Sequence, residues 1–333
     1  MLSDMISYRA DINDLKRSPG LKKGLFFVLT CMILVLCACG KSEDHKEVYR
    51  RQGIQALDEG NYDAAIEAFI SALSESRGII KPVDYDINFY LGYTYYLSGR
   101  YEEAVTIYDN ILTLKPKETD AYYYRALSKL KLGDRTGAEE DFLKVTSADP
   151  KNYDTHIDIF FNMCEAGYEQ DARAYLKATL EEAKAMSDYD KGRICYYLGE
   201  YSDARVYLEK GKDMTDPDTI LMLGKTYEAI NDYSYAASLY NTYLSDKGNN
   251  ASVYNQLGVC RMRMEDYPAA LSAFESGLNL DDPMWQQDLM YNEAVAYEYL
   301  LDFETARTKM ETYLAKYPKD EAAAREYQFL LTR

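Results

Sequence analysis

The chain has 333 residues, 47% hydrophobic and 28% charged, with 38 Lys and Arg against 55 Asp and Glu, a net charge of -17. That apolar content excludes a disordered chain, and the length exceeds one ordinary core of about 150 residues, so two domains or a repeat array are expected. The acidic balance excludes a phosphate-facing nucleic-acid binder, and two histidines, His45 and His156, starve any multi-histidine metal site.

Lys22 and Lys23 precede residues 24–36, Gly-Leu-Phe-Phe-Val-Leu-Thr-Cys-Met-Ile-Leu-Val-Leu. A basic stretch followed by such a run describes a secretory signal. The uncharged segment 24–40 has 17 residues, the bottom of the spanning range, so a retained membrane anchor is the alternative reading. The end of the run separates the two. Leu36-Cys37-Ala38-Cys39 resembles the lipobox of bacterial lipoproteins: a branched apolar residue, two small residues, then cysteine. The resemblance implies that Cys39 is lipidated and that residues 1–38 are removed. It also implies a mature protein held on the extracytoplasmic side of a bacterial cell membrane. Residues 1–20, with Asp4, Asp11 and Asp14, depart from a usual leader; a start codon assigned too early would account for them. Two or more acyl chains suffice for stable anchoring. Residues 39–46 then form a polar tether, roughly 25 Å when extended.

Beyond Cys39, the cysteines are Cys164, Cys195 and Cys260, an odd number without a CxxC. A disulfide framework is therefore not the organising device, and the three are expected as small apolar helix residues.

The rest of the chain repeats. Ala65, Ala104, Ala138, Ala172, Ala204, Ala236, Ala270 and Ala306 follow one another at steps of 39, 34, 34, 32, 32, 34 and 36 residues. Twelve residues before each stands Gly53, Gly92, Ala126, Phe160, Gly192, Gly224, Gly258 or Ala294. Four residues after each stands Phe69, Tyr108, Phe142, Leu176, Leu208, Tyr240, Phe274 or Met310. Five before the alanine comes Gly60, Gly99, Gly133, Gly167, Gly199 or Asn231 in six of the eight. Pro116, Pro150, Pro217, Pro283 and Pro318 fall twelve or thirteen after it. Small residues let two helices approach, the large residue fills the groove beside the contact, Gly or Asn closes the turn, and Pro ends the second helix. A hairpin of this kind cannot bury its own apolar face, so eight must stack.

This register resembles the tetratricopeptide repeat family, most closely at residues 86–116 and 252–283. The resemblance implies an all-α, right-handed superhelical solenoid of about eight helical hairpins over 47–318. Their bounds are near 47–78, 86–116, 120–150, 154–184, 186–217, 218–248, 252–283 and 288–318. Residues 319–333 read as a capping helix. The fourth repeat departs most, with Phe160 in the small position and Glu169 where most others have Tyr. Loose packing or a local change of the superhelix is expected there. Tyr62, Tyr101, Tyr201, Tyr233 and Tyr267 sit three before the key alanine and account for part of the 34 tyrosines.

No GxxxxGK loop, GxSxG elbow or HExxH helix occurs. Carboxylate pairs such as Glu102-Glu103 are expected on solvated faces of so acidic a chain. The reading is a non-catalytic protein without a cofactor or metal. In the family, first helices line a concave groove where peptides or partner helices dock. The matching positions here are Phe89, Tyr90, Tyr93, Tyr123 and Tyr124, each either groove or core between hairpins. A cationic carboxylate clamp is absent: its positions hold Arg50, Ile54, Tyr90, Asp120 and Tyr124. Asp154, Asp158, Asp190 and Asp218 recur on the expected face and suit a basic partner or plain solvent. The function expected is a membrane-anchored protein–protein scaffold. The alternatives are an assembly factor with one obligate partner and, further off, an enzyme or solute-binding lipoprotein.

Overall fold

The computed structural model describes residues 44–333 apart from 77–79 and 183–184. The leader and Cys39 lie outside the described residues. Seventeen helices are described and no strand among them. They pair as α1 His45–Asp58 with α2 Tyr62–Ser74, α3 Pro82–Leu97 with α4 Tyr101–Leu114, and α5 Thr119–Lys131 with α6 Arg135–Ala148. Next come α7 Tyr153–Glu165 with α8 Glu169–Glu182, α9 Asp188–Tyr197 with α10 Tyr201–Lys210, and α11 Pro217–Ala229 with α12 Tyr233–Lys247. The last pairs are α13 Ala251–Arg263 with α14 Tyr267–Leu278 and α15 Gln286–Tyr299 with α16 Phe303–Lys316; α17 Glu321–Leu330 closes the chain. The described residues fall into two compact units, one ending at Leu176 and one beginning at Lys177.

α1 starts at His45, inside the segment 39–46 read as a tether, because the Asp44 carboxylate accepts the Lys46 amide at 3.2 Å and caps the helix. Its side chain makes Lys46 a core residue, bonded to Asp84 at 2.6 Å.

The eight key alanines are all fully buried, and the large residues four positions later are at most 2% exposed. The glycines twelve before meet those large residues directly. A methyl on Gly53, Gly192, Gly224 or Gly258 would lie 2.5, 2.4, 2.3 or 2.3 Å from Phe69, Leu208, Tyr240 or Phe274. The large side chain therefore sits on the glycine itself, rather than beside a small-on-small contact. The junction between α6 and α7, where the fourth hairpin meets the third, packs more thinly than the other described junctions between consecutive hairpins, yet Phe160 itself is enclosed. Phe160 is 5% exposed, its ring meets Phe161 edge-on at 5.1 Å, and its counterpart Leu176 is smaller and fully buried.

All eight hairpin turns share one geometry. The amide two residues past the first helix's end-cap reaches back five residues at 2.8–3.0 Å, from Asn61 to Ala56 through Asp302 to Tyr297. The residue between them has φ from 59° to 88°, the left-handed C-terminal motif. Five of these are Gly and one is Asn231, as the spacing predicts. In the last two repeats Glu265 (φ 59°) and Leu301 (φ 62°) hold the same conformation with a side chain. A left-handed L-residue costs roughly 1–2 kcal/mol. Leu301 is 73% exposed, so its side chain adds no packing in return. Leu301→Gly should raise stability by about 1 kcal/mol, after the entropy that glycine adds to the unfolded chain. A urea midpoint no higher than that of the parent would contradict this.

Pro217 differs from expectation: it is the first residue of α11 and starts a helix, as Pro82 does at α3. Proline fits there because its missing N–H would have no helical acceptor. Pro116, Pro150 and Pro318 do follow helix ends.

Candidate partner-binding surface

In the first unit, α3 and α5 bring four of the five nominated aromatics together. Tyr124 is the hub, with ring centroids 5.5 Å from Phe89, 5.2 Å from Tyr93 and 5.6 Å from Tyr123, each near edge-to-face. Beneath them lies Tyr108 of α4, fully buried, 6.0 Å from Tyr124 and 5.7 Å from Phe89. Phe89 and Tyr124 rest on Tyr108, and Tyr93 and Tyr123 pack against Tyr124; the Tyr123 ring also lies 6.0 Å from Phe142 and its hydroxyl accepts from Asn162 at 3.3 Å. All four are half-buried. Tyr90 is not part of this group. Its ring stacks on Phe69 at 5.8 Å and lies 5.9 Å from the Arg50 guanidinium.

Tyr96 joins the cluster, 6.5 Å from Tyr124. Sequence reading passed it over, although it lies three residues beyond Tyr93, one turn along the same helix. Burial pushes the Tyr96 hydroxyl up to about 12, helped by the Glu165 carboxylate and Tyr101. Burial also raises Tyr93, Tyr123 and Tyr124, with Asp158 adding to Tyr123 and Tyr93 and Asp120 adding to Tyr124. These phenols stay neutral in any ordinary medium. They offer flat area and a hydroxyl, which suits recognition.

The cations of this face are engaged within the protein. Arg50 bonds Asp86 of the next hairpin at 2.6 Å and Glu47 at 3.3 Å. Arg125 reaches Asp109 at 2.5 Å and both oxygens of the buried Asp141 at 2.5 and 2.8 Å, with Lys129 on the same carboxylate at 2.8 Å. Lys131 bonds Glu165 at 2.9 Å. These pairs hold Arg125 above its usual value, through the Asp141 bonds first.

Counting six residues back from the small position exposes a regularity that the sequence reading missed. Glu47, Asp86, Asp120 and Asp154 occupy it in the four hairpins of the first unit, and Asp218 and Asp288 recur in the second. First-turn carboxylates favour the helix dipole on their own account. Of the four acids nominated earlier, Asp158 is buried, and Asp190 is tied to its own helix start by Ser187 at 2.6 Å.

Cys164, Cys195 and Cys260 are free thiols. Burial raises all three, Cys195 to about 11 and Cys260 to about 12, so none is poised as a thiolate. His156 is 8% exposed and its Nδ1 lies 2.6 Å from the Tyr175 hydroxyl. Among the described residues no group of three His, Cys, Asp or Glu side chains is placed to hold a metal, and no helix is long and apolar enough to cross a membrane.

Family models of the tetratricopeptide repeat match residues 50–121, 119–152 and 288–320. A TPR repeat-containing protein of Methanocaldococcus jannaschii is 23% identical over 248 residues, covering 67% of this chain and 42% of its own length. The chain thus spans about two fifths of that relative. A tetratricopeptide repeat protein from Parabacteroides merdae is similar with a TM-score of 0.45 and 15% identity, covering 76% of this chain and 98% of that one. The Cut9–Hcn1 structure of the APC/C is similar with a TM-score of 0.44 and 16% identity, covering 86% of this chain and 56% of that one. The chain carries tetratricopeptide repeats.

Proposed function

We propose that this tetratricopeptide-repeat chain is a protein–protein docking scaffold, held by a lipid on Cys39 at the extracytoplasmic face of a bacterial cell membrane. The observation that carries the docking reading is the aromatic cluster of the first unit. Tyr93, Tyr96 and Tyr123 are half-buried, neutral, and packed around Tyr124. A partner segment laid across them buries large rigid rings at low entropy cost. Asp120, whose charge reaches the Tyr124 hydroxyl, favours a partner that brings positive charge, whereas Asp86 is already paired with Arg50. No covalent step is involved. The alternative, a dedicated assembly factor, uses the same surface for one obligate partner, and stoichiometric co-purification would favour it.

Photocrosslinking from position 93 in native membranes identifies the partner. Tyr93→Ala with Tyr123→Ala should then weaken that partner's binding at least thirty-fold, the scale of hot-spot residues worth about 2 kcal/mol or more. Leu143→Ala, 64% exposed on α6, should leave it unchanged. Equal effects from the tyrosine pair and from Leu143 would end the groove reading. Cys39→Ala tests the anchor separately. If the variant still fractionates with membranes after cleavage at the normal site, the lipid is not what holds it there.

A further inference from the structure

α17 closes the apolar end of the second unit through Ala323 and Leu330, which join the cluster containing Tyr291, Ala306, Met310 and Tyr313. In the same contact two carboxyl groups face each other. Glu298 of α15 is 8% exposed and Glu326 of α17 is 9% exposed. The two carboxyl groups interact, and Glu298 Oε2 and Glu326 Oε1 are each buried with no donor bonded to them. Two carboxylates cannot hydrogen-bond without a proton between them, and both cannot stay ionised in so dry a place. One proton is therefore a structural component of this contact.

The neighbouring charges do not replace it. Arg333, just past the end of α17, acts on Glu298 and lowers it, but less than burial and Glu326 raise it. Arg263 of α13 and Tyr267 of α14 face Tyr299, the next residue along, which Glu298 and Glu326 also reach. Lys309 of α16 is committed to Glu293 at 2.7 Å, Glu275 of α14 accepts from Tyr297 at 3.2 Å, and Arg325 lies on the exposed side beside Glu321.

We propose that α17 is a proton-latched cap, docked while the Glu298–Glu326 pair shares a proton and released when that proton is lost. Release uncovers the apolar end of the last hairpin. Burial first, and the Glu326 charge second, raise Glu298 to about 8. The ordinary value in an unfolded chain is about 4.3. Docking is then strongest below that ordinary value, weakens as pH rises from it toward about 8, and loses nothing further above. A protein facing the cell exterior meets this range, whereas cytoplasmic pH is buffered.

Hydrogen–deuterium exchange of the full chain at pH 6 and pH 9, corrected for intrinsic rates, reads the latch directly. Protection across residues 321–330 should fall at least tenfold at pH 9 while that of α13 and α14 stays unchanged. In Glu298→Gln/Glu326→Gln, whose amides bond without a proton to lose, residues 321–330 should be equally protected at both values. Should that variant fold poorly, ¹³C-carboxyl NMR of the parent decides instead, with one glutamate titrating several units above the rest as the expected result. Parent protection that does not change with pH, a Gln variant with the parent's slope, or glutamates that all titrate normally would each overturn the proposal.

Discussion

Gly258→Ala should destabilise the second unit by about 2 kcal/mol, although alanine is the better helix former by about 1 kcal/mol in a helix interior. The added Cβ would stand 2.3 Å from Phe274 Cε1 and 2.6 Å from both Cδ1 and Cζ. Phe274 is fully buried, with Ala270, Val259 and Met262 in its cluster, and its ring has nowhere to turn. Overpacking of a filled core costs about 1–3 kcal/mol, occasionally more, and outweighs the propensity gain. The companion Phe274→Met copies the last hairpin, where Ala294 stands opposite Met310 and both are fully buried. Combined with Gly258→Ala it should be less destabilising than the two single changes added together, and the coupling energy of that cycle is the test. Purely additive losses would mean that the notch and the ring are not matched to each other. Gly224→Ala should behave similarly, at 2.3 Å from Tyr240, with the further loss of the 2.7 Å bond from the Tyr240 hydroxyl to Glu228.

That matching explains what was legible in the sequence. The small position, the key alanine and the large residue are three chemically narrow demands at constant spacing, so eight copies stand out. The turn was legible where glycine or Asn231 supplied the left-handed residue. It was invisible at Glu265 and Leu301, because the helices on either side impose the same conformation on residues that would not choose it. Phe160 breaks the small-residue pattern yet stays buried, with Leu176 buried at the matching position of the second helix. Tyr96 could have been found by carrying Tyr93 one turn along its helix, and the acid by carrying the register six residues before the small position. Lys46 could not. A lysine in a run of polar residues reads as solvated, and only a carboxylate 38 residues away reveals otherwise.

Asp84→Ala should cost about 3–5 kcal/mol, the range for removing one partner of a buried ion pair. The Lys46 and Asp84 side chains are 6% and 5% exposed and meet at 2.6 Å. Ser76 accepts from Lys46 at 2.8 Å and donates to Asp84 at 2.7 Å, and the Lys81 amide donates to the other oxygen at 2.6 Å. Burial alone would raise the Asp84 carboxyl; the bonds from Lys46, Lys81 and Ser76 outweigh it and hold it below its ordinary value. A depressed carboxyl contributes stability above its unfolded value of about 3.9, and that share is lost as pH falls through the folded value. The parent should therefore show a stability loss below about pH 4 that Asp84→Ala lacks. Lys46→Met with Asp84→Leu removes both charges and leaves none stranded, so most of the loss should return. If the double variant is as unstable as Asp84→Ala, the cost lies in packing or in the Ser76 and Lys81 bonds instead. Under the proposed lipid on Cys39 the location has a consequence. Lys46 then stands seven residues from the anchor and fastens the first helix to the second hairpin, so Asp84→Ala should expose residues 45–58 to limited proteolysis before any other helix.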